Sequence, residues 1–272
     1  MFKTYALAES IGSYGGKLHV LLIDSNDSSK TPDNVTVYKI NEINSSIGKQ
    51  IVSKYRNNLD KLRWALKPIF LTLLVSQHDK VIYLDNDIFV FSNPAFLFDE
   101  LDTNNLLLTP HNYSSNPMSN QNWFEANFRV GLYNAGFIAA SKRSIAALHW
   151  WANCCLYNIK KSFWRGLFDD QKYLDLLPVL FDEVKIVKHP GCNLAGWNDH
   201  EQPSEVVFIH FANYTLQKFL EPNNIYYSFA TQYIQVLKHY NPSYQYQKIY
   251  RRYEIGAFIY FLFWRLVRLT ER

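Results

Sequence analysis

Apolar residues in this chain fall into two patterns. Short unbroken runs alternate with longer stretches in which apolar positions recur every three or four residues. The runs "KLHVLLID", "NVTVYKI", "KVIYL", "NLLLTP", "AGFIAAS", "VKIVK" and "VVFIH" read as strands. Their continuous apolar character, clearest in "VLLI" and "VIYL", predicts burial on both faces of a sheet. The stretches "TYALAESIGSYGG", "DKLRWALKPIFLTLLVSQ", "AFLFDEL" and "KRSIAALHWWANCCLYN" read as helices. The first ends at glycines, and Pro68 in the second marks a kink or a helix start. "DDQKYLDLLPVLF" is expected to be helical up to Pro178. Residues 110–128 are rich in Asn, Ser, Pro and aromatics and read as a loop, as does "HPGCNLAGWND". Helical patterns follow "VVFIH". Strands alternating with helices predict an α/β layered domain with a mostly parallel sheet flanked by helices. Such folds usually begin with a central strand. This sequence opens on a helix, so it is expected either to enter just after that strand or to have the strand supplied some other way.

Composition narrows the picture. With 272 residues, 48% hydrophobic and 19% charged, the chain is globular and has ample material for a core. Its 19 Tyr, 19 Phe and 7 Trp fill that core first and leave a minority for a groove. The three cysteines, Cys154, Cys155 and Cys192, form no disulfide framework and no metal-binding spacing, which suits a reducing cytosol. The segment from Lys248 to Arg272 holds six Lys/Arg and two Glu, so it carries the whole net charge of +4. The remaining 247 residues balance to zero, which argues against a nucleic-acid binder.

The chemistry concentrates at "KVIYLDNDIFVFSNP", where Asp85-Asn86-Asp87 interrupts the most strand-like segment. Two carboxylates at i and i+2, just past a strand end, can share one hard cation. In open α/β sheets the strand ends are also where ligands bind. A plain turn is the competing reading, since Asp and Asn are turn formers. An EF-hand is excluded, because its Gly and distal Glu are missing. A two-metal phosphohydrolase would need more acidic and His ligands.

Five segments occur in an order that resembles glycosyltransferases of the GT-A (Rossmann-like) fold. They are "RWALKPIFLTLLVSQHDKVIYLDNDIFVFSNP" with its DxD motif, "YNAGFIAAS", "GLFDDQKYLDLLP", "HPGCNLAGWN" and "VVFIHFANY". The likeness runs over roughly residues 3–220. It is greatest to the retaining group of glycogenin and the bacterial lipooligosaccharide galactosyltransferases. The resemblance implies that Asp85, Asp87 and His210 hold Mn²⁺ or Mg²⁺ and the donor diphosphate. It implies that Asp170 bonds sugar hydroxyls and that Gln171 lies near the anomeric carbon. Gln171 is too poor a nucleophile for a covalent role. Asn134, Ala135 and Gly136 would flank the donor sugar, with ordinary strand packing as the competing reading, and Asn193 and Trp197 would shape the donor or acceptor pocket, though Trp197 equally suits a core. Asp169 fits a helix cap. Arg63 and Lys67, at i and i+4, share a helix face that either meets the diphosphate or is merely solvated. Trp123 and Phe124 are candidates for an acceptor platform. The first strand and its turn, which in such proteins help bind the nucleotide, have no counterpart here.

Residues 1–220 are therefore expected to form the transferase domain, and 221–272 a C-terminal helical extension with a basic, aromatic tail. The ten apolar or small residues Ile255 to Trp264 fall short of the about 20 that cross a bilayer. Arg265, Arg268 and Arg272 share a face, with Arg251 close to that stripe. Such a helix either lies on an anionic membrane surface or docks on the domain. The expected function is transfer of a sugar, hexosyltransferase-like and retaining, from a nucleoside diphosphate sugar to a glycan or lipid-linked acceptor. The setting is bacterial polysaccharide biosynthesis, in the cytoplasm or peripherally on the inner face of the membrane. The alternative is a truncated, non-catalytic homologue acting as a membrane-associated binding or scaffold protein.

Overall fold

The computed structural model describes residues 1–23, 31–162, 165–199, 202–212 and 214–247. The basic tail and its arginine stripe lie outside these. Among the described residues no helix is long and apolar enough to cross a membrane.

The chain opens with α1 (Phe2–Gly12), which leads through Gly15 (φ +74°) into β1 (Leu18–Leu22). β2 (Val35–Lys39) pairs with β1 in parallel. Next come α2 (Ser46–Tyr55) and α3 (Leu59–Gln77). The α3 N-cap is Asn58, whose side chain accepts from the Lys61 N–H at 3.0 Å. Pro68 lies inside α3, which continues through it for nine further residues to Gln77. β3 (Lys80–Leu84), β4 (Ile88–Val90), α4 (Phe96–Glu100) and β5 (Leu106–Pro110) follow. Then come α5 (Gln121–Arg129), β6 (Tyr133–Ser141), α6 (Ile145–Tyr157), α7 (Leu177–Leu180), β7 (Val184–Ile186), β8 (Phe208–His210), α8 (Thr215–Phe219) and α9 (Tyr227–Tyr240).

The main sheet has the order β3-β6-β5-β7. β6 runs antiparallel to both β3 and β5, while β5 and β7 are parallel. A separate antiparallel pair joins β4 to β8. The sheets are therefore mixed, not mostly parallel. Continuous apolar runs report burial on two faces and say nothing of strand direction. Here the burial comes from two layers. Leu106, Leu108, Ile138 and Ala140 face a cluster with α2, α3 and α6. The alternating residues Leu107, Phe137 and Ala139 face a second cluster with Leu7 of α1, Leu97 of α4 and Leu101 just past it. A third cluster packs Phe89 and Phe211 against Tyr233 and Leu237 of α9, which also contacts α1.

Two further expectations are corrected. The expected loop 110–128 contains most of α5, whose N-cap Asn120 accepts from the Trp123 N–H at 3.2 Å. Asn and Ser read as loop residues, yet one of them caps a helix. Pro178 does not end a helix. Gln171–Leu176 is a 3₁₀ segment, and Pro178 sits in the first turn of α7, where its missing N–H costs nothing.

Candidate functional site

The end of β3 builds the site. The Asp85 N–H donates to the Gly136 carbonyl at 2.8 Å, which ties the strand end to β6. The Ile88 N–H donates back to the Asp85 carbonyl at 3.0 Å, so the chain turns through Asn86 and Asp87 into β4. β4 pairs with β8 in a register that sets Ile88 opposite His210, and the Phe211 N–H donates to the Asp87 carbonyl at 2.8 Å. Two residues more than a hundred positions apart are thereby placed side by side.

His210 Nε2 lies 3.1 Å from Asp87 Oδ1 and 3.8 Å from Asp85 Oδ2. One ligand atom from each of Asp85, Asp87 and His210 falls within 4.8 Å of the others. His210 is buried, whereas the two carboxylates keep 29% and 21% of their side chains exposed to solvent. Burial works to raise the Asp87 carboxyl, but the charge of His210 and a hydrogen bond from it outweigh that, bringing it to about 2. Two carboxylates and an imidazole suit Mg²⁺, Mn²⁺ or another divalent cation. His210 Nδ1 is buried and has no hydrogen-bond partner among the described residues. Packing therefore holds the ring. The Trp197 ring stands edge-on at 5.9 Å, and Gly136 lies so close that a Cβ there would meet His210 Cε1 at 2.3 Å.

Lys67 joins this cluster to the next acid. Its ammonium is buried and donates to the Ala135 carbonyl at 3.0 Å. It also sits 3.2 Å from Asp85 Oδ1 and 3.3 Å from Asp170 Oδ2. Burial disfavours its charge, yet Asp170 and Asp85 together raise its pKa well above the usual lysine value. Asp170 is buried, and this pushes its carboxyl up to about 6 against the opposing pull of Lys67. Asp170 Oδ2 has no well-oriented hydrogen bond despite the nearby ammonium. The Trp151 indole donates to the Asp170 carbonyl at 3.0 Å and anchors that turn from α6.

The remaining sequence candidates divide. Asn134 Oδ1 accepts from the Gly136 N–H at 2.8 Å and from the Asn193 amide at 3.2 Å. Asn193, at φ +57°, also donates to Thr109 Oγ1 at 2.8 Å. These buried amides join β5, β6 and the loop before β8. Gln171 donates weakly to the Val130 carbonyl at 3.4 Å. Asp169 pairs with Lys161 at 3.3 Å and is no helix cap. Arg63 pairs with Asp60 at 2.9 Å and lines the same cleft as Lys67. Trp197 is buried against His210 and His111. Trp123 stacks on Tyr113 at 5.1 Å, and Tyr113 stacks on His111 at 4.6 Å. Phe124 packs on Phe128 instead.

Tyr83 was missed by the sequence reading. Its hydroxyl donates to Asp85 Oδ1 at 2.5 Å, and the Lys67 ammonium sits 5.1 Å from its ring centre. The signal was present in the period of two, since residues 83 and 85 share a strand face. His111 was also missed. Burial lowers its pKa to about 3, so the ring stays neutral behind Trp197.

The carboxylates open onto a cleft of about 910 Å³, which Asp60, Arg63, Lys67 and residues 85–87 line at one end.

No family model matches the chain. Two curated relatives from Bacillus subtilis (strain 168) are the uncharacterized proteins YfnF and YfnD. YfnF is 29% identical over 171 residues, 56% of this chain and 56% of its own length. YfnD is 29% identical over 203 residues, 68% of this chain and 63% of its own length. The chain thus spans less than two thirds of the curated relatives it matches. Among solved structures, apo mouse xyloside xylosyltransferase 1 aligns at a TM-score of 0.46 and 13% identity, over 66% of this chain and 76% of that one.

Proposed function

We propose that the protein is a metal-dependent glycosyltransferase of the GT-A type. It moves a sugar from a nucleoside diphosphate sugar to a hydroxyl of a glycan or lipid-linked acceptor. The observation that carries this reading is the convergence of Asp85, Asp87 and His210, whose two acids line the cleft, with Asp170 linked to them through Lys67.

In this reading the bond from the sugar's anomeric carbon to the diphosphate oxygen breaks, and its electron pair stays on the diphosphate. The acceptor oxygen forms the new bond and loses its proton. Asp85, Asp87 and His210 would hold Mn²⁺ or Mg²⁺, which supplies positive charge against the departing nucleoside diphosphate. Asp170 accepts hydrogen bonds from sugar hydroxyls, held in place by Lys67 and Trp151. Asn134, Ala135, Gly136 and Asn193 present the sugar side of the pocket, and Gln171 lies beside the reacting carbon. Lys67 serves the donor by holding Asp85 and Asp170 in place, since its described partners are both acids and a backbone carbonyl. Transfer is of a hexose, with retention of configuration, in the bacterial cytoplasm or at the inner face of its membrane. The residues 221–272 and their basic tail belong to that last proposal.

The test is titration calorimetry with Mn²⁺, then with nucleoside diphosphates in its presence, followed by assay of donor turnover. Manganese-dependent nucleotide binding and donor turnover, both lost in Asp87→Ala, are expected. Turnover that survives Asp87→Ala would sink the metal assignment. A second reading is a non-catalytic homologue acting as a membrane-associated binding or scaffold protein. Manganese and nucleotide binding without turnover of any donor selects it.

A further inference from the structure

Tyr83 stands two residues before Asp85, and the period of a strand sets both side chains on one face. That face of β3 packs on α3. Val81 and Tyr83 join the cluster that holds Leu62, Leu66 and Ile69, whereas Ile82 and Leu84 join the opposite one. The Tyr83 backbone is fixed by pairing with Ile138 of β6, and its ring lies with the Lys67 ammonium 5.1 Å from its centre. A tyrosine has two side-chain torsions, so a ring held in this way also holds its hydroxyl.

The two oxygens of Asp85 are in different surroundings. Oδ1 accepts from the Tyr83 hydroxyl at 2.5 Å and faces the Lys67 ammonium at 3.2 Å. Oδ2 is the oxygen toward His210, 3.8 Å from Nε2. The terminal torsion of an aspartate is broad and sets no orientation by itself. Packing does not set it either, since 29% of the Asp85 side chain is exposed.

The two groups at Oδ1 are not equivalent. Lys67 is shared among Asp85, Asp170 and the Ala135 carbonyl. An ammonium is a compact charge with rotatable donors on a flexible stem, so it attracts a carboxylate without fixing its plane. A phenol has one donor in one direction. Its bond to a carboxylate is charge-assisted, and 2.5 Å is at the short end of that class. The hydroxyl therefore settles which oxygen of Asp85 turns back and which turns toward Asp87 and His210.

We propose that Tyr83 is a positioning residue for the divalent cation: its hydroxyl, bonded to Asp85 Oδ1, turns Asp85 Oδ2 toward the space shared with Asp87 and His210. This role rests on the reading of those three residues as metal ligands. A hydrogen-bond partner behind a metal ligand orients it, and losing that partner lowers metal affinity by about 10–100-fold.

The experiment is calorimetric titration with Mn²⁺ alone, beside urea unfolding of the same metal-free proteins. It needs no donor or acceptor. Tyr83→Phe is expected to bind Mn²⁺ about 10–100-fold more weakly than wild type. A merely structural role would lower the unfolding midpoint and leave the affinity unchanged. Tyr38→Phe is the control, because it removes a hydroxyl bonded to His19 and Gln77 and should leave Mn²⁺ affinity as it was. Two residues close to tyrosine in size extend the test and serve if Tyr83→Phe does not fold. Para-aminophenylalanine in place of Tyr83 keeps a donor at that point and should restore most of the affinity. Para-methylphenylalanine fills the space without a donor and should not. Equal affinity in those two proteins overturns the proposal, as does wild-type affinity in folded Tyr83→Phe. If Mn²⁺ binding is lost in Asp87→Ala but untouched in Tyr83→Phe, this role alone falls. A wild-type protein that binds no Mn²⁺ removes the metal reading together with it.

Discussion

The imidazole of His210 is 3.1 Å from the carboxylate of Asp87, although they stand 123 positions apart in sequence. The β4–β8 ladder brings them together, and Gly136 leaves room for the ring. This contact yields a first prediction about pH. The Asp87 carboxyl is held below its ordinary value, so the native state binds fewer protons there than the unfolded state as pH falls below about 4. Its stabilising effect is present above that pH and is lost as pH falls through about 2. Urea melts of metal-free protein should show this loss, and Asp87→Asn should flatten it.

Asp170 should act in the opposite sense. Burial raises its carboxyl to about 6, so between about 4 and 6 the native state binds the extra proton. Stability therefore falls as pH rises through that window. Asp170→Asn should remove this slope. A wild-type midpoint that does not move between pH 4 and 6 would contradict the raised value.

Gly136→Ala tests the packing around His210. A Cβ would come within 2.3 Å of His210 Cε1 and 2.7 Å of Asn134 Oδ1. Overpacking of this kind costs about 1–3 kcal/mol. The displaced imidazole should also weaken Mn²⁺ binding in calorimetry. Wild-type affinity in a fully folded Gly136→Ala protein would show that His210 is not a ligand.

Lys67→Met should be among the most damaging single changes. It removes the buried ammonium between Asp85 and Asp170 and leaves the Ala135 carbonyl without its donor. Breaking one side of a buried ion pair costs about 3–5 kcal/mol. Denaturant unfolding measures this directly. Adding Asp170→Asn should recover part of the loss, because one stranded carboxylate is then neutral.

Much of the site was legible from residue order. The apolar run ending at Asp85, the acid at Asp170 and the late strand ending at His210 were each visible as local patterns, whereas Gln171 meets only the Val130 carbonyl among the described residues. So were most of the strands and helices, because period two and period 3.6 are properties of neighbouring residues. The sequence by itself determined which segments form strands and helices and where the acids and the histidine stand along them, but the two clearest apolar runs, in β1 and β3, are only half-buried. Tertiary structure alone decided how those segments pair. The antiparallel insertion of β6 between β3 and β5 depends on contacts dozens of residues apart, and burial on both faces does not encode direction. That Lys67 meets Asp85 and Asp170, whereas Arg63 on the same helix pairs with Asp60, was decided by which acids the fold set beside each. That β1 and β3 each pair along one edge only among the described residues follows likewise from pairing, which is non-local and leaves no trace in either strand's own residues.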